Sequence, residues 1–137
     1  MSFLLDTDFC VHVLRGKEWA RRALAAVKPS AVAISAITLA ELEVGKRLDP
    51  KRAGPVDAFQ KAVPIVGFGP LEAERFGRIQ GELIRSGTKI GDMDALIAAT
   101  ALATDRVLVT GNLRHFERVS GLKLANWETH PPKGSNR

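Results

Sequence analysis

The sequence predicts an α/β domain in which a mostly parallel central sheet of about four to five strands is flanked by helices. Three observations carry the prediction. Short apolar runs of strand length recur, at residues 3–5 (FLL), 31–34 (AVAI) and 106–110 (RVLVT). Their apolarity is continuous rather than alternating, which marks strands covered on both faces. Segments with helical spacing separate the runs, the order that right-handed crossovers between parallel strands require. At 137 residues, the chain is one domain long enough to bury roughly two-thirds of its unfolded surface.

Each element has a local reason. Residues 3–5 form the first strand. A helical stretch follows to about residue 27, in two pieces around Gly16, and Lys28-Pro29-Ser30 breaks it. After the strand at 31–34, Ser35 is a good N-cap for a helix over residues 36–48, since its hydroxyl accepts from an unpaired backbone N–H. Asp49-Pro50 ends that helix, and another covers residues 55–62. Ile65-Val66 is a short strand candidate hemmed by Pro64, Gly67, Gly69 and Pro70. Residues 71–85 carry the clearest amphipathic pattern, with Phe76, Ile79 and Leu83 at +3 and +4 steps and Gly87 closing the helix. Asp92 is expected to cap a helix reaching about residue 104, whose interior is apolar all round except Thr100 and therefore buried on most sides. A strand at 106–110, a helical turn at 112–116 and a last strand at 122–127 complete a domain of residues 1–130. Residues 131–137 (PPKGSNR) are expected to form a flexible tail.

Composition narrows the function. The chain is 45% hydrophobic and 26% charged, ordinary for a soluble globular protein. The single cysteine, Cys10, excludes an intrachain disulfide and a cysteine-rich zinc site. His12, His115 and His130 lack zinc-ligand spacing, and there is neither a P-loop nor a G-x-G-x-x-G fingerprint. The beginning MSFLLDTD has no basic region of a secretory signal, and no apolar stretch approaches the ~18 residues of a membrane span. A cytoplasmic protein with no membrane association is expected. An excess of 20 Lys+Arg over 15 Asp+Glu, with pI ≈ 9.8, points to a polyanionic partner.

The informative residues are acids in places where apolar side chains belong. Asp6 directly follows the first strand, at the carboxyl end where open parallel sheets bind ligands; otherwise it, or Asp8, caps the next helix. On the helix after Ser35, Ile37, Ala40, Val44 and Leu48 read as the apolar stripe, and Glu41 falls within it. A carboxylate on a buried face needs a cation, an arginine or hydrogen bonds. Asp94 falls in the first turn of the apolar helix, where the helix dipole alone already favours an anion. Three acids from three elements would together suit a hard cation such as Mg2+ or Mn2+. Thr110-Gly111-Asn112 follows another strand and opens into the same crevice or forms an ordinary turn.

Taken in order, LLDTD at residues 4–8, SAITLAELEVG at 35–45, IGDMDALIAATAL at 90–102 and LVTGNLRHFERVSGLKLANW at 108–127 resemble the PIN-domain ribonucleases, specifically the VapC toxins of toxin–antitoxin pairs. The resemblance implies a PIN-like fold and a Mg2+-dependent acidic site, with Mn2+ a possible substitute. Asp6, Glu41 and Asp94 match the family's acids, and Asn112 its T-x-N position. Two departures stand out. Many relatives carry a further acid where this chain has His115, and Asp8 is an extra acid where many have asparagine.

The resemblance also implies hydrolysis of RNA phosphodiesters, a cognate VapB-type antitoxin, and a homodimer joined in a toxin–antitoxin hetero-oligomer. Asp6, Glu41 and Asp94 would then be the metal ligands, and their mutual repulsion would raise at least one pKa until a cation binds. Arg15, Lys17, Arg21, Arg22, Lys46, Arg47, Lys51, Arg52 and Arg114 are candidates for phosphate contacts. Aromatic platforms are few, with no Tyr, six Phe and two Trp, so recognition is expected to rest on shape and phosphate. The alternatives are a PIN-fold nuclease acting on DNA or structured nucleic acid outside a toxin pair, and a non-catalytic module that binds RNA or protein.

Overall fold

The computed structural model describes residues 1–133. Residues 131–133 have no regular structure, and the rest of the expected tail, 134–137, lies outside the described residues. Five strands, β1 (Phe3–Leu5), β2 (Val32–Ser35), β3 (Ile65–Val66), β4 (Val107–Val109) and β5 (Leu124–Ala125), form one sheet in the order β3-β2-β1-β4-β5. All four pairings are parallel, with Phe3 opposite both Val32 and Val107. Each parallel pair needs a crossover. These are supplied by α1 (Thr7–Leu14) and α2 (Glu18–Ala25), by α3 (Ala36–Leu48) and α4 (Ala53–Ala62), by α5 (Pro70–Arg85) and α6 (Asp92–Ala103), and by the single turn α7 (Leu113–Phe116).

Alternation along the strands divides the interior into two layers. Leu5, Ile34 and Val109 join Phe9, Val13, Ala20, Leu42, Val56 and Phe59 on the face covered by α1 to α4. Leu4, Ala33 and Leu108 point the other way, onto Ile79, Leu83, Ile97, Ala98 and Phe116 of α5, α6 and α7. This two-sided burial is what continuous apolar strands require, and Leu4, Leu5, Ala33, Ile34 and Leu108 are all fully buried. Gly16 divides the first helical stretch as expected. Its φ of +79° is left-handed, so a glycine there turns the chain without strain.

Three expectations need correction. The buried residues of α3 are Thr38 and Leu42, whereas Val44 and Leu48 are 58% and 81% exposed. The rotation of α3 is set at its start, because Ser35 ends β2 and caps α3 in the same residue, its Oγ accepting from Thr38 N at 3.0 Å. That junction aims Thr38 and Leu42 at the sheet and leaves Val44 and Leu48 of the predicted row in solvent. Next, Gly91 and not Asp92 occupies the N-cap of α6. Asp92 is already inside the helix, and its Oδ1 accepts from Gln80 Nε2 at 3.2 Å. Finally, the last strand is Leu124–Ala125 alone. Its flanks turn away, and Asn126 Oδ1 accepts from Glu128 N and Thr129 N in the turn that follows.

In this order β1 is central, with β2 and β3 on one side and β4 and β5 on the other. The chain reverses its direction of travel across the sheet at β1 and β4, and crevices for ligands open at the carboxyl ends of such strands. Asp6 and Thr110 are the residues that follow those two strands.

Candidate active site

Asp6 is the best-defined member of the site. It leaves β1 with its N–H still donating to Val109 O at 3.0 Å, one step beyond the β1–β4 ladder. Its extended backbone then makes it the N-cap of α1, where Oδ1 accepts from Phe9 N at 2.8 Å. Asp6 is a buried residue, 4% exposed overall. Burial pushes its pKa up from 3.8 to about 6, against the Thr110 hydroxyl and the Phe9 amide, which favour the anion, while the charges of Asp8 and Asp94 push it further up. The capping alternative raised from sequence is therefore correct as geometry. It does not exclude a role in the site, since only one carboxylate oxygen is recorded in the cap.

Glu41 sits on the second turn of α3, half-buried, and the Thr7 hydroxyl donates to its Oε1 at 2.5 Å. Thr7 Oγ1 lies 3.1 Å from Thr38 Oγ1, so a chain of hydroxyls links the first turn of α1 to the buried face of α3. No arginine or lysine salt bridge to Glu41 occurs among the described residues. Thr7 and Thr38 escaped the sequence reading. A threonine four residues before Leu42 on the true buried face was the available signal.

Asp94 lies in the first turn of α6, half-buried. Its Oδ2 is 3.6 Å from His115 Nδ1, and the same ring nitrogen is 2.9 Å from Asn112 Nδ2. Asn112 is fixed in turn by its own N–H, which donates to Thr110 Oγ1 at 2.9 Å. His115, which stands where many relatives carry an acid, thus joins Asp94 to Asn112. Asp92 faces away from this group, toward Gln80 and, at 3.8 Å, Lys89. Gln80 also donates to Ile90 O at 2.8 Å, which steadies the approach to α6.

The structure therefore gathers Asp6, Asp8 and Asp94 within charge-interaction range, with Thr110, Asn112 and His115 beside them. Glu41 is hydrogen-bonded to Thr7, which lies between Asp6 and Asp8 in the chain, and among the described residues no direct contact joins it to Asp6 or Asp94. Among the described residues, no three His, Cys, Asp or Glu side chains converge as a ready-made ligand set. The donor set is nonetheless the right one for a hard cation, being carboxylate and hydroxyl oxygens without thiolate. A buried carboxylate with a raised pKa beside two further acids is also a place where a cation relieves strain in the charge distribution. Cys10, fully buried, takes no part, and burial raises its thiol well above the ordinary range.

Residues 3–122 match the family described as the PIN domain. The chain is 35% identical to the tRNA(fMet)-specific endonuclease VapC of Salmonella typhimurium, the match covering 93% of this chain and 98% of that one. It is 32% identical to the ribonuclease VapC2 of Rickettsia felis, covering 93% and 99% respectively. Among solved structures, DNA-bound VapBC from Salmonella typhimurium superposes with a TM-score of 0.87 at 33% identity, over 93% of this chain and 98% of that one. VapBC2 from Rickettsia felis bound to a promoter DNA fragment gives 0.86 at 31% identity, over 93% and 99%. With the acids, the parallel sheet and these likenesses in agreement, the chain belongs to the PIN-domain family and, within it, to the VapC ribonucleases.

Proposed function

We propose that this chain is the toxin of a type II toxin–antitoxin pair, and that it hydrolyses RNA phosphodiester bonds at a Mg2+ site held by Asp6, Glu41 and Asp94. The observation that carries the reading is Asp6. The fold keeps Asp6 buried, 4% exposed, at the mouth of the sheet, where burial first and the charges of Asp8 and Asp94 after it raise its pKa to about 6. Nothing in the packing of the core needs a carboxylate there, since an asparagine would cap α1 equally well.

In this reading Asp6, Glu41 and Asp94 contribute carboxylate oxygens, and Thr7 orients Glu41 through its 2.5 Å hydrogen bond. When bound, a divalent cation polarises the phosphate and lowers the pKa of a coordinated water. Asn112, braced by Thr110 and His115, presents its amide to the phosphate. The basic side chains outside the site, among them Arg15, Lys51, Arg52 and Arg114, hold the RNA backbone. Mn2+ substitutes for Mg2+ because it accepts the same oxygen ligands.

The antitoxin reading is supported by a groove between α1, α3 and α4. Val11, Leu14, Leu42 and Val56 form its floor, and it runs to Thr7 and Glu41 at the acidic site. A partner segment laid there would close off the centre. The exposed Val44 and Leu48 on α3 support self-association into the homodimer. Among the described residues no helix is long and apolar enough to cross a membrane; we place the protein in the cytoplasm, where its RNA substrates are.

Assay of Asp6→Asn and Asp94→Asn for RNA cleavage with Mg2+ is the direct test. Both are expected to lose at least about a hundredfold in rate. Undiminished cleavage by both variants would remove the metal site from the reading. Growth arrest on expression, relieved by a small protein encoded beside the gene, tests the toxin assignment.

A further inference from the structure

Beside the acids lies a second cleft, which the metal reading does not use. It has a volume of about 360 Å3 and opens between the first turns of α1, the end of β4 and the segment after β5. That size is within the range of sites for small organic ligands, about 300–1,000 Å3. Asp8, Thr110 and Asn112 form the wall it shares with the acidic site. Its lining is also aromatic, with Phe9 and both tryptophans of the chain, Trp19 and Trp127, contributing to it.

These rings are held in place. Trp127 packs edge-on against Phe3 at 5.0 Å and Phe9 at 5.3 Å between centroids, and Trp19 packs edge-on against Phe9 at 5.8 Å. The His12 ring leans on Trp19 at 5.3 Å, and its Nδ1 is shielded from solvent without a partner among the described residues. The polar groups have spare capacity. Asn126 uses Oδ1 for the two backbone N–H groups of its turn, which leaves its amide N–H groups to donate, and Glu128 supplies an acceptor. Gly111 contributes no side chain to the wall, and a Cβ added there would meet nothing within 4 Å.

A rigid aromatic wall, a donor and an acceptor on one rim, and a phosphate-cleaving centre on the other together describe a receptor for one planar heterocycle joined to a phosphodiester. We propose that this cleft receives a single unpaired nucleobase of the RNA next to the scissile phosphate and so determines which nucleotide is tolerated there. The proposal rests on the reading of the Asp6 end as the cleavage centre. It also revises the expectation, drawn from the small number of aromatic residues, that recognition rests on shape and phosphate. Every base has a π-face to stack, and its edge carries the donors and acceptors that discriminate.

The two tryptophans make the test local. Full-length protein carrying Asp94→Asn, so that RNA is not consumed, is titrated with trinucleotide RNAs while its tryptophan fluorescence is followed. Saturable quenching is expected, about tenfold weaker for a trinucleotide with one abasic position. Asn126→Asp keeps the turn acceptor and removes the donor, and it should flatten the differences among the four bases at that position. Gly111→Val fills the cleft without removing any packing and should weaken binding by about tenfold. In the otherwise native sequence, the same two substitutions should alter the base preference of the cleavage sites. No quenching, equal affinity for the abasic RNA, or an unchanged base preference in both variants would overturn the proposal. Base-dependent quenching alongside normal cleavage by Asp6→Asn and Asp94→Asn would uphold the cleft and reject the metal site, so the two ideas fail separately.

Discussion

Replacing Asp6 by asparagine should make the metal-free protein more stable while abolishing its activity. The magnitude follows from burial. The folded-state pKa of Asp6 is about 6 against 3.8 for the exposed group, and each unit is worth about 1.4 kcal/mol. Ionising Asp6 in the folded chain therefore costs about 3 kcal/mol. Because the folded value is the higher one, the chain takes up a proton on folding between about pH 4 and pH 6. This stabilisation is full below that window and is lost as pH rises through about 6. The Asp6→Asn protein carries no such dependence, and its new amide oxygen can still accept from Phe9 N. In denaturation by urea with EDTA present, the variant should match the native protein near pH 3, below the value of the exposed group. By pH 8 it should exceed it by about 3 kcal/mol, which is ~10 °C in Tm. Added Mg2+ should then raise the native Tm and leave that of the variant unchanged, since only a state that binds the ion gains from it. A variant less stable than the native protein at pH 8, or a gap independent of pH, would refute the account of Asp6.

Other perturbations test the supports of the site. Thr7→Val removes the donor to Glu41 and should reduce RNA cleavage about tenfold for about 1 kcal/mol of stability, with Thr7→Ser restoring both; rate and urea midpoint measured together decide it. Gln80→Leu leaves the Ile90 carbonyl without its 2.8 Å partner and should lower stability by about 1–3 kcal/mol, read from the urea midpoint. Leu48→Lys, at a position 81% exposed, should change monomer stability by less than about 0.5 kcal/mol, whereas a Leu48 buried in the predicted stripe would have cost several times more.

The sheet was legible because strands buried on both faces cannot alternate, so FLL, VAIS and VLV stand out against any helical pattern. Asp6 was legible for the same reason, as the first polar residue after such a run. The burial of α3 was not, because its apolar residues fill two offset rows. Periodicity favours Ile37, Ala40, Val44 and Leu48, and only the direct junction at Ser35 selects Thr38 and Leu42. The cap of α6 escaped because it depends on the backbone of Gly91, φ −58° and ψ 146°, and side-chain preference had favoured Asp92. The Thr7–Glu41 pair joins residues 34 positions apart, a link that neither helix reveals by itself. The small number of aromatic residues concealed where the two tryptophans lie. Trp127 is indeed buried, at 4% exposure, yet its residual surface opens on the cleft.

Two of the strand-to-helix junctions contain no loop at all. Asp6 and Ser35 each end a strand's hydrogen bonding and cap the following helix within one residue. An insertion at either point would have to dislocate both a strand register and a helix, so the proposed catalytic centre has no hinge on this side and should tolerate no change of length. Amides of Phe9 and Thr38, whose partners are these caps, should exchange with solvent only when the domain as a whole opens. Side chains at the margin, Gly111, Asn126 and Glu128, line the cleft without belonging to a strand or a helix, and they can change while the acids stay where the sheet puts them. Engineering a new cleavage preference should accordingly begin at Gly111, Asn126 and Glu128, with the centre left untouched.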